Sequence, residues 1–487
     1  MTAPLAIGLD LGTGGARAVI VRADGEVMAS ASAELDTRRT HARPDWHEQD
    51  PADWWRAAST AVGGAVAKLK GDSSGAIRAV CVDGTSGTVV GVDARGAVAT
   101  PALMYNDSRA ELEARELNDL ATKATGANPG ITASFSLAKM RWLERRAPAA
   151  FEATHRFAHQ ADLVASRLTG RLGVSDYSNA LKSGFDLTQG AWPGWLDGLG
   201  QLRARLPEVV APGAVLGQVM GEVARSLGIP RETQVIAGVT DGTAAFLASG
   251  ASRTGDDNTT LGTTLVFKRI ASAHVHDPEG LLYCHRLPGD VWLPGAASNV
   301  GGDWIRKEFG GRDLAALDEA AQRSLPVEIL AYPSCVRGER FPFRSEDASG
   351  FVDPAVDDPA TAFAAKLQGT ALLERLAYEV LDRSAPSSGD VFATGGGSAS
   401  DVWLQLRADV TGRTYHRPAC PESAFGSAVL AHAGALGRDL WETSRDMVRI
   451  ARTFRPRPSL HARYTEYYRR FVALLEHRGY LSTPPPA

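Results

Sequence analysis

Apolar positions along the chain fall into short runs that read as buried strands and into stripes at helical spacing, and their alternation predicts an α/β protein. Residues 6–9 and 18–21 are strand runs, and Gly12, Gly14 and Gly15 between them predict a tight hairpin that uses conformations other residues avoid. Gly25 then turns the chain toward a third strand reaching Ala33. Asp50-Pro51 opens a helix, with Trp54, Trp55, Ala58 and Ala61 or Val62 on its core face and an end near Gly71. A strand over 77–82 delivers the loop DGTSGT at 83–88, and a second strand follows over 89–92. Residues 101–145 read as helical and loop-rich, with Leu137, Met140 and Trp142 or Leu143 facing a core and Lys139 solvated or salt-bridged. Residues 155–166 read as one helix carrying His159 and Asp162, a satisfied core or surface pair that can border a pocket.

The second half repeats the vocabulary of the first. A strand over 235–239 leads through Thr240-Asp241-Gly242 into an alanine-rich helix over 243–249, closed by Gly250. Residues 259–267, TTLGTTLVF, echo the opening hairpin with Gly262 at the corner, which points to a duplicated fold. GAASNVGGDW at 295–304 makes a glycine turn, through Gly301, that enters a helix. Arg337, Glu339 and Arg340 read as an ion-pair cluster rather than phosphate ligands. A long packing helix runs from Pro359 or Thr361 to about Leu381, and a strand over 391–394 feeds Gly395-Gly396-Gly397 before a helix from about Asp401. Residues 424–437 and 464–475 are helical, and 484–486 read as a frayed end. The expected division is a first domain over 1–245, a second over 246–440 and a helical tail over 441–487.

Composition narrows the partners. The chain has 487 residues, 44% hydrophobic and 22% charged, with a formal net charge of -4 and no basic field, which argues against nucleic acid and for a neutral or metal-complexed ligand. Its four cysteines lack metal-ligand spacing and read as reduced thiols. No basic leader precedes the first strand and no eighteen apolar residues run together, so the expectation is a soluble, cytoplasmic protein with no membrane partner.

Several of these turns carry chemistry. The amides of the first hairpin can cradle an anionic oxygen cluster, with Thr13 adding a hydroxyl and Asp10 a carboxylate suited to a phosphate-bound cation; a purely structural hairpin is the alternative. Asp83, Gly84, Thr85 and Ser86 are a candidate sugar contact or a plain β-turn. Asp241 stands at the positive end of a helix, either as a cap or as an ionised proton acceptor. The triple glycine lets a flat ring lie on the backbone, with Trp403 walling the other side.

Taken in order, residues 10–17, Asp241 with its helix, 260–264 and 394–397 resemble the FGGY carbohydrate kinases, and SFSLAKMRW resembles that family's own signature. VDGTSGT, SDYSNALKSGF, DGTAAFLASGA, GGDW after GAASN, and RGERFPF are most similar to its D-ribulose kinase branch, once named for xylulose. The resemblance implies a duplicated actin/hexokinase-like (ribonuclease H-like) ATPase fold, two domains with a cleft between them, ATP and Mg²⁺ as cofactors, and phosphorylation of D-ribulose to D-ribulose 5-phosphate. D-xylulose is the alternative acceptor, and a non-catalytic nucleotide-binding sugar sensor a further one. It implies Asp241 as the base and as a sugar contact, Asp10 on the sugar or Mg²⁺, and Ser86 and Asp83 toward the ketose. Gly12 and Thr13, and Gly262 and Thr263, would hold the phosphates, Gly301 would contact the bound nucleotide, and Gly396, Gly397, Ser400 and Trp403 would form the adenine pocket. Gly14 stands where many relatives have Ser or Thr, and Ser400 where close relatives have Asn. A monomer or homodimer is expected.

Overall fold

The structure is a computed structural model that describes residues 3–36, 43–387 and 389–481; the frayed end expected at 484–486 lies outside them. It divides into two compact units, the first made of Met1–Ala248, Arg286–Gly289 and Glu422–Val448, the second of Ser249–His285, Asp290–Pro421 and Arg449–Ala487. The division therefore departs from the one expected at 245 and 440. The helix Ser423–Leu436 packs in the first unit, and the terminal helix Pro458–His477 belongs to the second rather than forming a separate tail.

In the first unit, strands β1 (Leu5–Leu11), β2 (Gly15–Arg22), β3 (Val27–Glu34), β4 (Ile77–Gly84), β5 (Val215–Gln218) and β6 (Gln234–Ile236) form one sheet in the order β5-β6-β4-β1-β2-β3. The apolar run of β1 is buried on both faces, and β1 runs antiparallel to β2 but parallel to β4, which runs parallel to β6. Asp50 caps the helix Pro51–Val66 by accepting from the Ala52 amide at 3.0 Å, and that helix buries Trp54 completely. The helix Ser423–Leu436 lies against β1 and against the helix Asp241–Leu247 because two glycines permit it: a Cβ on Gly8 would sit 1.7 Å from the Ala424 carbonyl oxygen. One on Gly426 would sit 1.8 Å from the Ala244 oxygen, so neither position accepts a side chain without moving the helix.

The single helix expected over 155–166 is instead a strand, Arg156–His159, followed by a helix, Gln160–Thr169. The strand pairs antiparallel with Val89–Val92, and His159 and Asp162 cap the helix reciprocally, which fixes its start.

In the second unit, β7 (Asp257–Leu261), β8 (Leu265–Arg269), β9 (Val291–Ser298), β10 (Val391–Thr394), β11 (Tyr415–Pro418) and β12 (Ile450–Phe454) belong to a seven-stranded sheet. Beyond one edge strand its order is β9-β8-β7-β10-β11-β12, and each neighbouring pair has the same sense as its counterpart in the first sheet. The echo read from the sequence is a repeated strand plan. The long helix runs over Pro359–Ser384 and, with Trp304, Tyr332, Trp403 and the fully buried Arg407–Glu374 pair, builds this unit's core. Arg337, Glu339 and Arg340 form no mutual cluster: Arg337 pairs with Asp347, while the Glu339 carboxylate is buried and accepts from Tyr332, Ser298 and the Asn299 and Arg340 amides. The cysteines are free thiols. Among the described residues no helix is long and apolar enough to cross a membrane.

Candidate active site

Three carboxylates come together at the carboxyl ends of adjacent parallel strands in the first unit. Asp10 near the end of β1 is directly opposite Asp83 near the end of β4, and Gly84 bridges to Thr240, so Asp241 follows on the next strand line. This is the edge of a parallel sheet where ligands bind in open α/β folds. Asp83 is fully buried and its Oδ2 accepts from the Ser427 hydroxyl at 2.5 Å. Burial, the Asp10 charge and its hydrogen bond with Asp10 push the Asp83 carboxyl well above the usual range, with Asp241 adding to the push. Burial also raises Asp10, against the Asp83 hydrogen bond and the Arg17 charge. Asp83 Oδ1 is buried and has no hydrogen-bond partner within the protein.

Asp241 occupies the first turn of the helix Asp241–Leu247, with Thr240 rather than Asp241 at the cap position, and its Oδ1 accepts from the Gly242 amide at 2.6 Å. Its surroundings are fixed from two sides: Ser178 accepts from the Thr240 amide at 2.8 Å, and Ser423 donates to the Asp241 carbonyl at 3.1 Å. Its carboxylate is partly exposed, the setting a proton acceptor needs.

The loop 83–88 lies beside this group, with Ser86 partly exposed and Thr85 tied down by Gln160. Lys139, expected on the surface or in an ion pair, is instead fully buried and donates to the carbonyls of Gly87, Met104 and Ser134 at 2.9, 2.6 and 3.1 Å. Three carbonyls match the three donors of an ammonium, so the residue pins the turn after Ser86. Burial nonetheless pulls its pKa down to about 7. Lys182, unnoticed as a site residue in the sequence, reaches the Ser86 carbonyl at 3.5 Å.

The first hairpin differs from expectation in one respect: none of Gly12, Gly14 and Gly15 takes a positive φ. What the missing side chains provide is room, since a Cβ on Gly14 would meet nothing within 4 Å and one on Gly12 only the Gly15 oxygen at 3.7 Å. Gln49 donates to the Thr13 carbonyl at 2.7 Å and steadies the tip. Among the described residues no three His, Cys, Asp or Glu side chains are grouped to hold a metal by themselves. A partly open Asp10 still fits Mg²⁺, an ion that is held through phosphate oxygens, waters and one or two carboxylates.

In the second unit a cavity of about 620 Å³ opens beside the second hairpin, within the range of small-molecule and cofactor sites. Gly262, Thr263, Gly396, Gly397, Ser400 and Trp403 all line it, so two segments more than 130 residues apart in the chain meet there. Gly396 leaves open space toward it, whereas Gly395 and Gly397 are glycine because Leu261 packs on them. Trp403 is floor rather than a free wall: 1% exposed, it donates its indole N–H to the Leu367 carbonyl and stands edge-on to Trp304. Ser400 caps the helix Asp401–Thr411 through the Trp403 amide, and burial raises Asp318 on the same wall against its bond to Ser400. Gly301 does not line the cavity. Its backbone packs so closely on Thr263 that a Cβ would fall 2.2 Å from that carbonyl oxygen, while Gly302 takes the lining position. Glu339, holding the Asn299 amide, anchors the turn that brings both glycines there.

The profile of the FGGY family of carbohydrate kinases, N-terminal domain, matches residues 5–248, and that of its C-terminal domain matches 258–435. The chain is 30% identical over 445 residues to a xylulose kinase from Klebsiella pneumoniae, covering 88% of this chain and 89% of that protein. Its fold matches that of a xylulose kinase from Rhodospirillum rubrum with a TM-score of 0.85 and 29% identity, over 97% of this chain and 98% of the other. A kinase from Brucella ovis, described as a xyloylose kinase, matches with a TM-score of 0.87 and 26% identity, over 98% and 99%.

Proposed function

This chain belongs to the FGGY family of carbohydrate kinases and has their two-domain actin/hexokinase-like fold, and on that premise we propose that it passes the terminal phosphoryl group of ATP to a ketopentose. The first candidate acceptor is D-ribulose, giving D-ribulose 5-phosphate, on the strength of the segments VDGTSGT and SDYSNALKSGF. D-xylulose is the second reading, favoured by the names of the relatives.

The observation that carries the proposal is the meeting of Asp10, Asp83 and Asp241 at three adjacent strand ends. In a loose phosphoryl-transfer transition state the attacking alcohol needs a positioned carboxylate that receives its proton late, and Asp241 takes that role. Asp83, whose carboxyl burial and the Asp10 charge push upward, and the Ser86 hydroxyl are the groups offered to the ketose. The Gly12 and Gly262 amides close their own hairpins by donating to the Gly15 and Thr264 carbonyls, which leaves Thr13 and Thr263 at the two tips to offer amides and hydroxyls to phosphate oxygens. The cavity past Gly396, Gly397, Ser400 and Trp403 takes the adenine. Bound Mg²⁺, held by Asp10 with the phosphates, would offset the charge that builds on the transferring group.

The test is ADP release by the full chain over a panel of ketoses and polyols. Highest kcat/KM on D-ribulose is the expected result, highest on D-xylulose selects the second reading, and highest on glycerol or a hexulose removes the pentulose assignment.

A further inference from the structure

Two lysines border the turn at Ser86 and Gly87, and they are satisfied to different degrees. Lys139 spends all three ammonium donors on backbone carbonyls. Lys182 makes a single contact, to the Ser86 carbonyl at 3.5 Å, longer than an ordinary hydrogen bond. Its backbone is nonetheless held in place. The Leu137 amide donates to the Lys182 carbonyl at 3.1 Å, and Lys182 ends the short helix Tyr177–Leu181, whose start Asp176 caps. Ser178 of that helix accepts from the Thr240 amide, next to Asp241. The same short helix therefore positions both the lysine and the residue preceding the proton acceptor.

The charge around Lys182 is mixed. Burial pulls its pKa down and the Asp241 carboxylate pulls it up, while Lys139 and Lys182 repel each other. A lysine held this firmly for structure would be paired as Lys139 is. An ammonium left with open donors beside a carboxylate and a serine instead presents a donor face to oxygens arriving from outside.

We propose that Lys182 recognises the acceptor, donating hydrogen bonds to oxygens of the bound sugar between Ser86 and Asp241; this rests on the kinase reading above. It is a specificity residue for the acceptor, because the groups it faces are Ser86, Lys139 and Asp241, while the cavity proposed for the adenine is lined by the other unit.

The experiment is steady-state kinetics of the full chain, wild type against Lys182→Met and Lys182→Gln, varying sugar and ATP separately, with melting temperatures recorded for each. Losing a charged donor to the sugar should raise the sugar KM about tenfold or more in Lys182→Met. The ATP KM should stay within about twofold and the melting temperature close to wild type, with Lys182→Gln, which keeps a neutral donor, in between. An unchanged sugar KM in a wild type that phosphorylates a ketose overturns the role of Lys182 and leaves the kinase reading standing. Equal rises in both KM values with a fall in melting temperature in both variants also overturn it, in favour of a structural part. A wild type that phosphorylates no sugar overturns the kinase reading, and this proposal with it.

Discussion

The two sheets share one strand plan and differ at the corresponding ends. In the first, Asp10-Leu11-Gly12-Thr13 closes the leading strand and Asp10 faces Asp83; in the second, Thr260-Leu261-Gly262-Thr263 does the same and Thr260 faces Thr394. A facing pair of carboxyls, each raised by burial, is replaced by two hydroxyls 2.8 Å apart. The comparison teaches that the scaffold sets where a ligand meets the sheet, and the residue at the last strand position sets its charge. Carboxylates suit proton and cation chemistry, while an uncharged end with open amides suits a polyanion that buried carboxylates would repel.

The strongest way to break this contrast is Asp241→Asn. It should lower kcat about 10²–10⁴-fold, the usual worth of a general base, while leaving the thermal shift by MgATP in place; a nucleotide-binding sensor would be indifferent to the change. Next is Gly8→Val, which has no counterpart in the second sheet. It pushes the helix Ser423–Leu436 off β1 and should cost about 1–3 kcal/mol, read by urea unfolding, and weaken turnover through the lost Ser427 bond to Asp83. Thr260→Asp writes the first unit's charge into the second. About 1.4 kcal/mol of repulsion would raise the ATP KM roughly tenfold with the sugar KM unchanged, and an unaltered ATP KM would show that the strand end does not set ligand charge.

A further contrast concerns how each half buries a cation. Arg407 is paired with Glu374, which holds it charged throughout, but Lys139 has carbonyls around it and a pKa pulled from 10.5 to about 7. Between those values the unfolded chain binds more protons than the folded one, so stability rises with pH from about 7 to 10.5 and is flat in this group below. The urea midpoint of wild type minus that of Lys139→Met, followed from pH 7 to 10, should show that slope; a difference that falls with pH would contradict it.

Much of this was legible from the chain because it is local. The two hairpins, the strand before Asp241 and the glycine run after β10 are written in consecutive residues, and the cavity does gather Gly262, Thr263, Gly396 and Gly397. Contacts between distant residues left no such mark. Ser427 reaches Asp83 from 344 positions away, Lys139 finds its carbonyls through the fold, and the Trp403 ring packs into the core although its helical position offered it to a ligand. Lys182 stayed hidden because its meaning lies in bonds it does not make. Arg156–His159 read as helix because a strand of four residues has too few positions to show its alternation, and only Val89–Val92 beside it decides the matter.

The helix Ser423–Leu436 has a consequence for biosynthesis. Because it covers β1 and lies more than four hundred residues after it in the chain, this sheet stays bare on that side until all of that intervening chain has left the ribosome. A fragment cut after residue 248 would expose the Gly8 groove and lack the partner of Asp83, so the leading strands of this unit are among the last of its parts to be sealed.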